Sequence, residues 1–582
     1  MMMLAMRTLT WPDKFILIGY FVLMLGIGAY FYRYMRGMKD YFTGGNVIPW
    51  WLSGVSFYMA SFSAFAFVFY SSLAYKYGFV AITLFWVTVP ATMISVIFFS
   101  KRWRRARIDS PVEYLESRYS TTIRQLFAWH GIPVRIIDDS LKLIATGTFL
   151  SVGLGLDLTQ SMFWSGVIML AYTFMGGLWA VAVTDFVQFV VLAAAVVVLL
   201  PLAVAKAGGA ATFLNNSPAG FFKLTSPEYP WKYVICQVLL YSIAYSSINW
   251  SLIQRYFCVP KERDAYKVGW LVVVLNLVGT PIMFLPAMAA RQFLPALGNE
   301  GQVYPMLCAA LLPAGMMGLM IAAMFSATMS TLSSDYNVCA NVLTIDVYRR
   351  LIHPKASQRE LVLVGRFMTL LVGVLSLGLA FVLAATGKGE QQFRNMVTLF
   401  SIATAPVGIP MLAGLLSKRT TNAGALAGFL AGVAVGIAMF IHYPNEFTFL
   451  GSVWKRENLL LLATTLATLA AMTAFNFLLP SGPAMRERIA TFLARLKTPI
   501  GQLPEDTISA PATGEKVVSP FRVVGMCNIL IGGMMLVILP FSGSLMAARM
   551  NLLIGAGLVV VGALMTWLGR SKKAAAYEEN VR

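Results

Sequence analysis

The residues best suited to chemistry are hydroxyls that recur inside one long apolar segment. Ser330, Ser333 and Ser334 stand at positions i, i+3 and i+4, a spacing that places side chains on one face of a helix. Ala327 and Thr331 form an overlapping stripe. Because small hard cations prefer oxygen ligands, this face predicts a site for an ion such as Na⁺.

A lone acid, Asp185, lies in a second apolar segment. An acid at membrane depth is costly and is a functional hypothesis by default. The structural alternative is an acid that caps a helix near the interface, since Gly176 and Gly177 precede it by about two turns. Combined with the hydroxyls, Asp185 predicts a weak Na⁺ site without soft ligands, and hence an ion-driven transporter.

Small and hydroxyl-bearing residues also cluster around Ser61 and Ser63 in the apolar segment 48–75. Serine side chains can compete for backbone hydrogen bonds and weaken a helix. Unwound backbone at membrane depth is tolerated where it lines a cavity, and its freed carbonyls can bind Na⁺. Close helix packing through small residues is the open alternative.

Four ionisable residues, Arg135, Asp138, Asp139 and Lys142, fall within another span. They are costly there unless paired, and Asp138 and Lys142 have the favourable i, i+4 order. The cluster is either self-neutralised at a helix entrance or part of a cavity wall. In the second case Lys142 meets a substrate anion or Asp139 a substrate hydroxyl.

Aromatic rings stand beside hydroxyls and an amide in the segment that contains Tyr241, Tyr245 and Asn249. This combination suits a polar organic solute, which stacks on rings and accepts or donates hydrogen bonds. An aromatic-rich helix that only packs against its neighbours is the alternative.

The composition identifies the elements that must position these residues. Of 582 residues, 58% are hydrophobic and 12% charged, against about 25% charged in soluble proteins. Apolar runs of about 20 residues indicate membrane-spanning helices. The chain is therefore expected to be an all-α polytopic membrane protein with about 15 spans. These lie near 14–35, 48–75, 79–100, 124–155, 159–177, 179–206, 231–255, 266–290, 313–348, 361–385, 395–416, 421–442, 457–479, 522–541 and 547–569.

Charge sets the expected orientation and excludes other functions. Most Lys and Arg residues fall in alternate loops, which explains the net charge of +20 without nucleic acid and places the N-terminus outside and the C-terminus in the cytoplasm. The five cysteines and three histidines show no metal or disulfide spacing. No phosphate-binding loop or nucleophile elbow is present, so an enzyme is not expected.

Five stretches carry a resemblance to a known family. They are Asp40 to Trp51; Gly176 to Gln188; Asn249 to Arg255; Gly318 to Asn337 with Asp346 to Tyr348; and, more weakly, Ala405 to Gly428. Across the ten spans after the first, the chain resembles the sodium/solute symporter family, which includes sodium-coupled galactose and sialic acid transporters. The resemblance implies a LeuT-like five-plus-five inverted repeat with extra peripheral helices, working by alternating access.

The resemblance for spans 1–10, with hydropathy and charge for the rest, predicts the following division of the chain: 1–40, a peripheral helix; 41–207, the first repeat (spans 1–5); 208–230, an extracellular loop; 231–420, the second repeat (spans 6–10); 421–480, spans 11–12; 481–520, a cytoplasmic loop; and 521–582, spans 13–14 and a cytoplasmic tail.

The resemblance also implies site residues. One Na⁺ would bind backbone carbonyls and hydroxyls of Met59, Phe62, Ala327, Ser330 and Thr331. A second would bind Asp185, Ser330, Ser333 and Ser334, which predicts two coupled ions. The expected solute contacts are Ser63, Ala66, Phe85, Asp139, Lys142, Tyr245, Asn249 and Thr398.

The solute is expected to be sugar-like or carboxylated. Ala66 and Phe85 replace polar residues of the sugar-transporting members, whereas Lys142 lies near the arginine that sialic acid transporters use for a carboxylate. The sequence thus predicts a Na⁺/solute symporter of a bacterial inner membrane, with solute and lipid as partners and no nucleic acid or obligatory protein partner. A proton-coupled carrier that uses Asp185 or Asp139 is the nearest alternative, and a transporter-like membrane sensor is a more distant one.

Overall fold

The computed structural model describes residues 9–32, 43–175, 178–294, 300–385, 390–444, 446–449, 452–506 and 519–569. Several features of the sequence lie outside these ranges. They are the Asp40 to Phe42 part of the first motif, Gly176 and Gly177, most of the linker before residue 520, and the C-terminal tail.

The described chain is almost wholly helical. Its α-helices are α1 Trp11–Tyr32, α2 Trp50–Ala60, α3 Ser71–Tyr77, α4 Val80–Trp86, α5 Thr88–Ser95, α6 Lys101–Arg105, α7 Tyr114–Arg118, α8 Thr121–Leu154, α9 Leu158–Met175, α10 Leu178–Lys206, α11 Ala210–Asn215, α12 Trp231–Ile243, α13 Trp250–Phe257, α14 Glu262–Ala290, α15 Val303–Leu311, α16 Met316–Val342, α17 Gln358–Leu383, α18 Glu390–Leu416, α19 Asn422–His442, α20 Arg456–Leu478, α21 Pro483–Lys497, α22 Pro520–Val537 and α23 Leu545–Leu568.

Shorter elements extend or join these helices. The π-helical turns are Ala66–Tyr70, Val96–Ser100, Ala244–Ile248 and Leu343–Ile352. The 3₁₀ turns are Gly44–Asn46, Glu300–Gln302, Pro504–Asp506 and Leu539–Phe541. Strands β1 Glu446–Phe449 and β2 Ser452–Lys455 form an antiparallel hairpin in which Phe447 pairs with Trp454.

Within the described ranges, 11 helices are long and apolar enough to span a membrane, or 12 if the bent pair α8 and α9 counts as one span. The expected number of about 15 is therefore not confirmed. The difference has a structural cause. The spans expected at 48–75 and 231–255 are interrupted, and the chain bends by 116° between α8 and α9.

Helix α16 lies at the centre of the bundle, and every one of its residues is buried. It packs against α1, α2, α8, α10 and α17. The Asp13 carboxylate of α1 accepts hydrogen bonds from the backbone N–H groups of Gly315 and Gly318, at 2.8 and 3.0 Å. An acid at a helix N-terminus satisfies free donors and complements the helix dipole. Asp13 thus fastens the N-terminal helix to the helix that carries the hydroxyl ladder.

An ionic network joins α7, α8 and the end of α16. Glu116 of α7 accepts hydrogen bonds from Arg350 and Arg124, and the Arg350 contact is the largest cause that lowers the pKa of Glu116 to about 2. Arg124 also pairs with Asp346. Glu116 therefore stays charged near neutral pH and ties together three elements at one end of the bundle.

Candidate ion and solute sites

The first interrupted span breaks between α2 and the π-turn at Ala66–Tyr70. Helix α2 ends at Ala60, and the backbone resumes a helical course at Ala64. Two threonines of α16 bind the freed backbone groups. Ala64 N–H donates to Thr328 Oγ1 at 3.1 Å, and Thr331 Oγ1 donates to the Phe62 carbonyl at 2.6 Å. Side-chain hydroxyls thus compensate for the missing helical hydrogen bonds.

The Thr331 hydroxyl lies close to three backbone carbonyls. Its oxygen lies 3.4 Å from the Met59 carbonyl, 2.6 Å from that of Phe62 and 3.0 Å from that of Ala327. The nearby Ser330 hydroxyl is fully buried, makes no hydrogen bond of ordinary geometry among the described residues and lies near the Asp185 carboxylate. The five residues predicted for the first Na⁺ site thus lie on the two elements that meet here. Their donor set is oxygen only, as a hard monovalent cation requires.

The residues predicted for a second ion are organised differently. Asp185 accepts a hydrogen bond from Ser56, and its other oxygen has no partner among the described residues. The buried Arg255 guanidinium lies 3.6 Å from Asp185 and donates to Ser334 Oγ at 2.6 Å. Ser333 donates back to a carbonyl of its own helix, that of Ser330, at 3.2 Å.

Arg255 therefore joins Asp185 to Ser334. Its Nε atom also donates to Ser56 Oγ at 2.8 Å, so its contacts with Ser56 and Ser334 bridge α2 and α16. The sequence contains this arginine within one of the family-like stretches, but nothing in its spacing indicates that it reaches Asp185. The prediction of two ions therefore depends on Arg255, because its guanidinium would have to move for a second Na⁺ to bind both Asp185 and Ser334.

The second interrupted span breaks at Asn249, whose ψ of 80° ends the helical course between the π-turn Ala244–Ile248 and α13. Arg135 of α8 donates to the Ile248 carbonyl at 3.0 Å and also hydrogen-bonds the Asn249 side chain. A charged donor thus compensates for this break.

A cavity of about 100 Å³ lies between the two breaks. Six of the residues predicted to contact solute line it: Ser63, Ala66, Phe85, Lys142, Tyr245 and Asn249. Asp139 and Thr398 are buried and are not among the lining residues. Asp139 lies behind the wall, where it contacts Lys142 at 2.9 Å, and its predicted contact with a solute hydroxyl stays a prediction. Thr398 lies on α18, of which Met396 and Phe400 reach the cavity instead.

Lys142 is fully occupied by carboxylates. Its Nζ atom lies 2.9 Å from an oxygen of Asp138, 2.9 Å from one of Asp139 and 2.7 Å from one of Asp335. A lysine ammonium has three donors. Both alternatives for the ionisable cluster hold in part. The charges pair with one another, and the cluster lies at the wall of the cavity.

Asp335 is the site residue that the sequence analysis missed. It follows Ser334 directly and stands four residues after Thr331, so it shares a helical face with the first ion site. Arg135 also contacts it at 3.7 Å. An acid at this position of a buried helix was a signal that could have been used.

The comparisons with known proteins decide the family. A model of the sodium:solute symporter family matches residues 41–432. The chain belongs to this family. The match covers both broken spans, α16 and the cavity.

Two relatives illustrate the similarity. The sodium/sialic acid symporter SiaT of Proteus mirabilis (strain HI4320) is 25% identical over 463 residues, covering 75% of this chain and 91% of the relative. A sodium/glucose cotransporter of Vibrio parahaemolyticus is 26% identical over 456 residues, covering 72% and 83%. The family establishes this chain as an integral membrane protein that couples Na⁺ to solute uptake.

Solved structures show the same architecture. A Na⁺-coupled sialic acid symporter in a substrate-bound outward-open state superposes with a TM-score of 0.70 at 22% identity, covering 81% of this chain and 98% of that one. The nucleobase-cation-symport-1 family transporter Mhp1 reaches a TM-score of 0.51 at 13% identity, covering 77% and 96%. The LeuT-like fold is therefore confirmed.

Proposed function

We propose that this symporter binds its driving Na⁺ at the first break and carries a hydroxyl-rich polar solute without a carboxylate. The observation that supports the ion site is the Thr331 hydroxyl, which contacts carbonyls of Met59, Phe62 and Ala327 within 3.4 Å. An ion there would join α2 to α16 and order the break.

The solute class is argued from the cavity wall. Of the two predicted classes, sugar-like and carboxylated, the second needs a free cation. Lys142 is saturated by three carboxylates, and the terminal nitrogens of Arg135 contact Asp138, the Ile248 carbonyl and Asn249. The hydroxyls and amide that line the cavity are matched by a sugar or polyol.

The energy that Na⁺ supplies depends on the number of ions. One charge that crosses about 100 mV contributes about 2.3 kcal/mol, and a tenfold gradient adds about 1.4 kcal/mol. One ion thus supports an accumulation of a neutral solute of about 10² to 10³, and two ions about 10⁵. We place the chain in a bacterial inner membrane with the N-terminus outside and the C-terminus in the cytoplasm, as the basic residues of alternate loops predict.

The test of the ion site needs no knowledge of the solute. An ion that binds only the folded protein raises its unfolding temperature, so Na⁺ titrations of the purified full chain report its affinity, with K⁺ as the reference cation. Thr331→Val removes the hydroxyl at nearly constant volume, and Thr331→Ser retains it. We expect Thr331→Val to weaken Na⁺ binding by about 10- to 100-fold, as losses of oriented ligands do elsewhere.

Uptake by proteoliposomes completes the test. We expect an inward Na⁺ gradient to drive uptake of sugars or polyols by the wild type and by Thr331→Ser. Uptake that persists without Na⁺ and follows a pH gradient would support the proton-coupled alternative. An unchanged Na⁺ affinity in Thr331→Val would refute the proposed ion site.

A further inference from the structure

The ionisable cluster at the wall of the cavity, which includes Asp139 behind the lining residues, holds more carboxylates than cations. Asp138, Asp139 and Asp335 offer oxygens that all lie within 4.8 Å of one another. Among the described residues, Arg135 and Lys142 pair with them, and none of these five side chains is more than 10% exposed. With all three acids ionised, the formal charge of the group is minus one. An unbalanced buried charge at membrane depth is costly, which points to a positive charge that arrives with a ligand.

One of these carboxylates presents an open acceptor to the cavity. Asp335 lines the cavity and is 1% exposed, and its Oδ1 atom makes no hydrogen bond of ordinary geometry among the described residues, although the Ser251 side chain lies near this carboxylate. Its Oδ2 atom is held by Lys142. Asp335 is therefore fixed in place by one oxygen while the other can accept a hydrogen bond from a bound molecule.

Aromatic rings supply an independent argument. Tyr70, Phe85, Tyr241, Tyr245 and Phe400 all line the same cavity. The faces of such rings attract cations, and cages of this kind recognise organic ammonium groups. The Arg135 guanidinium lies 5.9 Å from the centre of the Phe400 ring, within the range of such contacts.

We propose that the transported solute carries a protonated amine, whose ammonium binds between Asp335 Oδ1 and the aromatic rings. This inference rests on the proposed function and narrows it to small hydroxylated amines, such as amino sugars and amino alcohols. The ammonium supplies the missing positive charge and a donor for the open carboxylate oxygen. A carboxylate at the same place would be repelled by the excess negative charge of the three aspartates.

Matched solutes on one scaffold test the charge. Proteoliposomes that contain the full chain receive radiolabelled glucosamine, glucose or glucuronate under an inward Na⁺ gradient, followed by the open-chain set ethanolamine, ethylene glycol and glycolate. We expect Na⁺-driven uptake of the amine in at least one set to exceed that of its neutral partner by tenfold or more. The acid should not be taken up.

The variant Asp335→Asn tests the assigned contact. It retains the shape of the side chain and removes its charge, so we expect the preference for the amine over the neutral partner to fall at least tenfold. Asp157→Asn makes the same change at an exposed turn and serves as the control. Retention of Na⁺-induced thermal stabilisation in Asp335→Asn would show that the variant folds and binds its ion.

Three results would overturn the inference. The first is that neither amine is taken up, and the second is that the neutral or acidic partner is preferred. The third is that uptake of neutral solutes depends on a proton gradient as well as on Na⁺, because a proton would then neutralise the excess negative charge of the cluster. Each leaves the proposed function standing if Na⁺ still drives uptake or stabilises the protein. Loss of all Na⁺ dependence would instead remove the proposed function itself.

Discussion

The two interrupted spans meet the same requirement with different chemistry. At the first break, the backbone groups of Phe62 and Ala64 are bound by neutral hydroxyls of Thr331 and Thr328. At the second, the Ile248 carbonyl is bound by the Arg135 guanidinium. A hydroxyl oxygen retains lone pairs that it can share with Na⁺, whereas a guanidinium has no acceptor to offer as a metal ligand. The first break therefore suits an ion and the second suits a solute.

The largest expected effect comes from removing the charge at the second break. Arg135→Met leaves the Ile248 carbonyl without this donor and leaves Lys142 alone against three carboxylates. Loss of one partner of a buried ion pair costs about 3–5 kcal/mol. We expect a clearly lower unfolding temperature in detergent and loss of solute uptake.

The same variant should leave the first break intact. We expect Na⁺ to stabilise Arg135→Met by as much as it stabilises the wild type, because none of the predicted ion ligands is changed. Arg263→Met, at an exposed arginine near the start of α14, is the matched control for loss of a positive charge. If Arg135→Met abolished the response to Na⁺, the two breaks would not be independent.

A smaller effect is expected at the first break. Thr328→Val leaves the buried Ala64 N–H without its acceptor, and an unsatisfied buried donor costs about 1–3 kcal/mol. Because Ala64 follows Phe62 and Ser63 directly, we expect a lower Na⁺ affinity as well, measured by the Na⁺ concentration at half-maximal stabilisation. Thr328→Ser keeps the hydroxyl and should behave as wild type. A wild-type Na⁺ affinity in Thr328→Val would show that the hydrogen bond to Ala64 is not needed for ion binding.

The smallest change concerns the number of ions. Ser334→Ala removes a ligand predicted for a second Na⁺ and the 2.6 Å contact of Arg255. We expect the Hill coefficient of Na⁺-dependent uptake to fall towards one, with a modest change in stability. Ser165→Ala, at a buried serine of α9 that bonds its own helix, is the control. An unchanged coefficient would remove Ser334 from the proposed second site and leave Arg255 as the partner of Asp185.

Local patterns were sufficient for much of the fold, whereas the five residues predicted for the first ion site came from the family resemblance. Apolar runs indicated the helices, and the hydroxyls of α16 share a face because the helical repeat is a property of the backbone. Small and hydroxyl-bearing residues near Ser61 indicated the first break. The number of spans was harder to predict, since hydropathy does not register an interruption in the middle of an apolar segment.

The charged residues show where sequence reasoning stops. Lys142 was a candidate for binding a substrate anion, and its i, i+4 pairing with Asp138 was foreseen. Its saturation depends on Asp335, which lies 193 residues further along the chain. Arg255 likewise reaches Asp185 only through the packing of α13 against α2 and α16.

The sequence by itself determined that the chain crosses a membrane as helices and that α16 presents a face of hydroxyls, because both follow from local composition and helical periodicity. The tertiary structure alone decided which charges are already paired and which oxygens remain open. The net charge around the cavity is the sum of charges on residues of different helices, and only packing brings those helices together.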